Sequence, residues 1–176
     1  MKDVMLDLET FGTSHNAVII QIGACYFDRF SGEIRPRFFE HVDPQTCVDA
    51  GFEMDTSTIL WWLSQDVDAR QGITKKVGSP IGPTLIELKH FLSHAECIWS
   101  HATFDFVIMT NYFNRFKIRT HFDHHAARDL RTLTDLAGIN PKDFPREGTY
   151  HNALDDCMFQ VGYATACFNR LRRDDL

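Results

Sequence analysis

The sequence predicts an α/β protein: a mixed five-stranded sheet with helices on both faces. Three observations carry the prediction. An apolar run, Val4 to Leu8, is followed by β-branched and aromatic stretches over 17–28 and 34–42. A second short apolar run, Cys97 to His101, stands alone between helical patterns. The chain from Asn152 to Leu171 repeats its apolar positions at helical spacing.

Each element follows from local chemistry. Side chains alternate along a strand, so Asp7 and Glu9 leave one face of the first strand while Leu6 and Leu8 leave the other. Ser31-Gly32 is a turn that makes the second and third strands an antiparallel hairpin, and Pro36 places the third at the sheet edge. From Asp55 the period becomes helical. Asp55 or Thr56 caps a helix carrying Ile59, Leu60, Trp62 and Leu63, and a second runs from Asp66 to Lys76, giving a helical insert over about 55–77. Gly78 to Pro83 reads as a loop, and Leu85, Leu88, Phe91 and Leu92 mark the next helix. After the strand at 97–101, Phe106, Met109, Phe113 and Phe116 form a helical stripe. A weak fifth strand is expected at Ile118 to Phe122, before a helix near Asp129 to Ala137 that Gly138 and Pro141 end. A long polar loop leads to Tyr150. The final helix turns Leu154, Met158, Val161 and Ala164 or Thr165 to the core. One domain over 1–176 is expected.

Composition narrows the function. A chain of 176 residues buries about two-thirds of its unfolded surface and needs no staple to fold. No apolar run nears the ~20 residues of a membrane span, and Met1-Lys2-Asp3 enters a strand without a signal-peptide pattern, so a cytoplasmic protein without membrane contact is expected. The five cysteines are odd in number and lack Cys-x-x-Cys spacing, which favours buried free thiols over disulfides or a zinc site. A formal charge of −6 argues against broad non-specific nucleic-acid binding. It leaves room for a short phosphate-bearing substrate, because carboxylate-held divalent cations supply positive charge locally.

Three clusters carry chemistry. Asp7 and Glu9 point into one small volume at the end of a strand apolar enough to be central, so they need cations or a proton; helix capping or pairing with basic side chains is the alternative. Asp105 stands in the first turn of a helix leaving the C-terminal end of a buried strand, where open α/β sheets place their sites; a carboxylate serving only the helix dipole is the bland reading. His151 precedes a helix that carries Asp156 one turn in, with small Ala153 allowing close approach. That pair offers a base and a metal ligand, or simply a cap and a solvated acidic face. Asp155, rotated about 100° from Asp156, falls to the second role.

Asp7-Leu-Glu9-Thr-Phe-Gly, Ser100-His-Ala-Thr-Phe-Asp105 and His151-Asn-Ala-Leu-Asp-Asp156 together resemble the three motifs of the DEDDh, DnaQ-like 3′-to-5′ exonucleases. The resemblance spans the chain in order, and all five signature positions match. The insert around Met54 to Leu63 and Arg128-Asp-Leu-Arg-Thr-Leu are similar to a phage-type branch of single-strand exonucleases and exoribonucleases. Leu8 and Phe11 stand where proofreading subunits usually carry Thr.

The resemblance implies a ribonuclease H-like sheet and two-metal hydrolysis at a 3′ end, with Mg²⁺ or Mn²⁺ as cofactors. Asp7 would bridge both ions, Glu9 and Asp156 would complete one site, Asp105 would support the other through water, and His151 would take the proton. Two cations ~3.5–4 Å apart stabilise both the entering and leaving oxygens of an in-line displacement. Thr10, Phe11, Gly12 and Phe104 are the expected substrate contacts, with Phe11 wedged against the terminal base. The expected partner is the 3′ end of single-stranded DNA or RNA, DNA slightly favoured. Exoribonuclease or oligoribonuclease trimming is the alternative, and an inactive nucleic-acid-binding module is the rival of another class. The family often forms homodimers, and the aromatic insert is the candidate interface.

Other residues are weighed singly. Adjacent Trp61 and Trp62 cannot share a helix face: one belongs to the core and the other stacks on a base or shields the site. His121, Asp123, His124 and His125 form a solvated turn in preference to a second metal site. Arg128 and Arg131, three apart on the expected helix, suit backbone phosphate or a surface ion pair. Arg70, Lys75 and Lys76 are too few to grip a long duplex.

Overall fold

The computed structural model describes residues 1–74 and 78–174, the side chains as far as 172. Five strands form one sheet: β1 (Asp3–Thr10), β2 (Ile19–Phe27), β3 (Ile34–His41), β4 (Cys97–Ser100) and β5 (Ala127–Asp129). Their order is β3-β2-β1-β4-β5; β1 pairs antiparallel with β2 and parallel with β4. This puts β1 at the centre with all eight residues buried, and the Pro36 strand at the edge, where its missing N–H costs no ladder bond.

Period-two alternation splits β1 between two cores. Val4, Leu6 and Leu8 pack with Ile98 and with Leu85, Leu88, Ile108 and Tyr112, which come from α4 (Ile81–Phe91) and α5 (Asp105–Arg115). Met5 faces the other way, among Cys25, Phe27, Trp99 and residues of α6 (Leu130–Ala137) and α7 (Ala153–Asp174). Asp7 and Glu9 continue the Met5 side, toward α7.

The insert is two helices, α2 (Thr56–Ser64) and α3 (Val67–Thr74). Asp55 caps α2 through Ser57 N. The expected helix to Lys76 ends at Thr74 within what is described; Lys75 and Lys76 lie outside the described residues.

Four local expectations are corrected. The fifth strand is Ala127–Asp129 and not 118–122: Ile98, Trp99 and Ser100 offer their free edge to Ala127, Arg128 and Asp129, while Phe122 is drawn into the core. Arg128 is therefore on a strand, its Nη1 donating to the carbonyls of His125 and Ala127, and the helix starts only after Asp129, whose Oδ1 caps Thr132 N. A helix, α1 (Pro44–Asp49), follows β3 where none was expected; Asp43 caps Gln45 N and Pro44 takes the first helical position. The loop before α4 is shorter than expected, because Gly82 and Pro83 lie in that helix's first turn, where backbone N–H groups have no intrahelical partner.

The buried stripe of α7 also differs. Ala153, Cys157, Gln160, Val161, Ala164 and Cys167 are buried, whereas Leu154 and Met158 are only half-buried. The helix is rotated because its N-terminal backbone, not a large side chain, sits against the sheet. Among the described residues no helix is long and apolar enough to cross a membrane.

Candidate active site

The site forms where β1, α5 and α7 converge. Asp7 and Glu9 lie opposite Gly23 and Gln21 of β2. Gly23 lets the first turn of α7 rest on the sheet: a Cβ there would stand 2.2 Å from the carbonyl carbon of Ala153. Gln21 fastens the same turn, its Oε1 accepting from Ala153 N (3.1 Å) while its Nε2 donates to Gly72 O in α3 (3.1 Å). One turn beyond Asp156 along α7, Gln160 Nε2 donates to Asp7 Oδ1 at 2.7 Å.

Asp105 enters from α5 and is 2% exposed. Its Oδ1 accepts from Leu8 N (3.1 Å) and its Oδ2 from His101 N (3.0 Å), so the carboxylate is tied to β1 and to the turn after β4. His101 Nδ1 is 3.9 Å from Asp105 Oδ2.

His151 takes a left-handed conformation, φ 60°, which only a constrained loop sustains in a residue with a Cβ. The constraint comes from Asp155, whose Oδ2 accepts from Thr149 N at 2.8 Å and folds the loop onto α7. The imidazole meets Trp61 and Trp62 edge-on, with ring centroids 4.8 and 5.7 Å away. Trp62 is the core member of the pair, buried and donating Nε1–H to Thr10 O; Trp61 is exposed and covers His151.

Electrostatics single out this volume. Burial, then the charges of Asp105 and Glu9, push the Asp7 carboxyl well above its ordinary range. Burial and Asp105 raise Glu9 to about 8; burial raises Asp105 to about 7 against the pull of its backbone N–H donors. Burial, assisted by the charge of Arg146, holds His151 below its usual value, leaving a neutral base at pH 7. Arg146 pairs with Asp156.

These groups fit divalent cations. Asp7, His101 and Asp105 bring ligand atoms within 4.8 Å of one another, and Glu9, His151 and Asp156 do the same. The donors are mainly hard carboxylate oxygens, as Mg²⁺ and Mn²⁺ require. Gln160 Oε1, on the side chain whose amide nitrogen holds Asp7, is buried without a hydrogen-bond partner. Carboxyl groups raised this far by desolvation are the groups a cation would return to their charged form.

All five signature residues therefore meet. Of the expected substrate contacts, Thr10, Gly12 and Phe104 line a cleft of about 510 Å³ beside Glu9, together with Trp61 and Trp62. The Thr10 hydroxyl is turned into the turn, donating to Gly12 O at 2.6 Å. The structure places Phe11 in an adjoining groove with Ile59, Leu63 and Val67; Trp62 is common to both. A larger cavity, about 610 Å³ between α5 and residues 117–124, is lined by none of the four carboxylates. Asp123 and His124 lie at its rim and form, with His125, a capped, exposed turn in which Asp123 Oδ1 accepts from His125 N.

Sequence reasoning missed Gln160, Gln21, His101 and Arg146. Gln160 carried a signal, since i+4 from Asp156 lies on the same helix face. Arg146 carried none, because a loop has no period.

Residues 2–168 match the model of the 3′-5′ exoribonuclease Rv2179c-like domain. The chain belongs to this family. Among solved structures, the family member resembles E. coli Exonuclease I in complex with a dT13 oligonucleotide: TM-score 0.67, 15% identity, 97% of this chain and 42% of that one. The zinc-bound E. coli Exonuclease I–ssDNA complex aligns with TM-score 0.69 at 17% identity, over 97% of this chain and 41% of that one. Cell-death related nuclease 4 aligns with TM-score 0.53 at 14% identity, over 95% of this chain and 63% of that one. The chain thus spans about two-fifths of the length of Exonuclease I. No curated protein matches. At these identities the likeness shows the fold, and with the observed strand order it bears out the expected ribonuclease H-like α/β architecture with a mixed five-stranded sheet.

Proposed function

We propose that this chain, acting as one domain, is a two-metal 3′-to-5′ exonuclease that releases mononucleotides from single-stranded nucleic acid. The observation that carries the reading is the convergence of Asp7, Glu9, Asp105 and Asp156, from three separate elements, beside a neutral histidine. Membership of a 3′-5′ exoribonuclease domain family supports it.

Asp7, Glu9 and Asp156 would hold one Mg²⁺ or Mn²⁺, and Asp7 with Asp105 the other. When bound, the cations would acidify the attacking water and neutralise charge building on the phosphate and leaving oxygen. Every other part falls to the chain. An imidazole nitrogen of His151 accepts the proton of that water. Gln160 holds Asp7 in one rotamer, and the backbone N–H groups of Leu8 and His101 hold Asp105. Trp61 limits solvent at His151. The apolar cleft of Leu8, Phe104, Trp61 and Trp62 accepts an unpaired terminal base, which a duplex end offers only after unstacking costs of about a few kcal/mol.

Deoxy strands are the first reading. The Thr10 hydroxyl, beside Glu9, spends its proton on Gly12 O and so does not donate to a ribose 2′-hydroxyl. RNA is the second reading, favoured by the description of the family. Matched single strands of DNA and RNA, incubated with Mg²⁺, with Mn²⁺ and with chelator, test both. Stepwise loss of 3′ nucleotides only with cation, faster on DNA, is expected. Hydrolysis insensitive to chelation would refute the two-metal reading, and faster loss from RNA would replace the first substrate with the second.

A further inference from the structure

The side chain of Arg146 has no part in the chemistry just described, yet it reaches into the carboxylate cluster. We propose that Arg146 is an internal cation of the site, which holds Asp156 when metal is absent and competes with a divalent ion for that carboxylate. The inference rests on the two-metal reading of the site.

Asp156 has two claimants. Its Oδ1 is in contact with Arg146 Nη2, and the same carboxylate belongs to the triad of Glu9, His151 and Asp156 whose ligand atoms lie within 4.8 Å. Both partners are largely withdrawn from solvent, with side chains 15% and 13% exposed. A carboxylate there needs a positive neighbour, and Arg146 is the one that the described residues supply.

The contact is built to be exchanged. The guanidinium is supported by other means: its carbon lies 4.2 Å from the Tyr150 ring centroid and 5.0 Å from that of Phe159. These faces stabilise the cation whether or not Asp156 faces it. A divalent ion at Glu9 and Asp156 would take over Asp156 and repel a guanidinium so close by. Metal binding and the Arg146–Asp156 contact are therefore antagonistic, and the coupling must be reciprocal.

Mn²⁺ titration calorimetry on the wild-type protein, Arg146→Gln and Arg146→Lys, paired with thermal unfolding of the metal-free proteins, tests this. Arg146→Gln should bind Mn²⁺ about 5–150-fold more tightly, the usual span of coupling between sites. It should melt at a lower temperature without metal and gain more from Mn²⁺ than the wild type does. Arg146→Lys keeps the charge on a side chain that stacks less well, and so should fold and bind Mn²⁺ with a smaller gain; it decides the matter if the glutamine variant does not fold. In an Asp156→Asn background the gain in Mn²⁺ affinity from Arg146→Gln should be smaller than in the wild-type background, because competition for Asp156 is gone and only the repulsion remains. Equal or weaker Mn²⁺ binding by both arginine variants, with normal binding by the wild type, would overturn this proposal and leave the two-metal reading standing. No Mn²⁺ binding by any of the proteins would overturn both.

Discussion

Gly23 and Ala153 touch backbone to strand: a Cβ on Gly23 would lie 2.2 Å from the Ala153 carbonyl carbon and 2.3 Å from its oxygen. That contact sets the height of α7 over the sheet. It therefore sets the reach of Asp156 to Glu9 and of Gln160 to Asp7. Gly23→Ala should destabilise the fold by about 1–3 kcal/mol or more, as overpacking against fixed backbone does, and should lower hydrolysis by moving α7 outward. Urea denaturation gives the first quantity; an unchanged midpoint would show that the helix approaches less closely than described.

Asp7→Asn separates stability from activity. The carboxylate is buried, crowded by Asp105 and Glu9, and held by one hydrogen bond from Gln160. Replacing it removes a charge that desolvation opposes while keeping the side-chain shape. The metal-free variant should melt at the same temperature or higher, and its hydrolysis should be abolished. Near wild-type turnover in Mg²⁺ would remove Asp7 from the metal site.

The raised carboxyl groups make a prediction about pH. Glu9 at about 8 and Asp105 at about 7 hold protons in the folded chain that they release near pH 4 when it unfolds. Between those values the folded state binds more protons than the unfolded one, so stability declines as pH rises. The contribution of these groups is complete below about pH 4 and is lost as pH passes 7 to 8. Thermal scans of metal-free protein across that window should show the decline, and saturating Mn²⁺ should flatten it. A melting temperature that rises through the window without metal would mean that the carboxylates are already paired.

Much of this architecture was legible in the chain because it rests on alternation and caps. The opposed faces of Asp7 and Leu8, the edge position of Pro36 and the cap at Asp55 are all local effects, and the structure shows each. What was illegible is non-local. Ala127–Asp129 is a strand only because β4 has an edge to offer, and three residues display no period. The six-residue α1 is too short for one as well, although Asp43-Pro44 carried its start signal. The stripe of α7 was misread at Leu154 and Met158 because the close contact at Gly23, not side-chain size, decides which face is buried. Arg146 reaches the site along a loop whose path depends on Asp155 bonding to Thr149 N.

His151→Ala should lower the rate by about 10²–10⁴, the range of general-base catalysis, with little loss of fold. Because His151 is held below its ordinary value, the wild-type rate at saturating metal should rise with pH only below about 6.5 and be level above it, as the neutral form takes over. Removal of the imidazole should remove that acid limb. A variant with an unchanged rate would exclude His151 as the base.

The central claim is tested most directly by time-resolved gels of 5′-labelled single strands that end in a 3′-hydroxyl or a 3′-phosphate, beside a circular strand of the same sequence, all in Mg²⁺. A cleft beside Glu9 that accepts one unpaired end predicts a ladder shortening from the 3′-hydroxyl terminus, slowing where the strand enters a duplex. It also predicts inhibition by the 3′-phosphate and an intact circle. Cleavage of the circle, or equal rates on the two 3′ ends, would contradict the account.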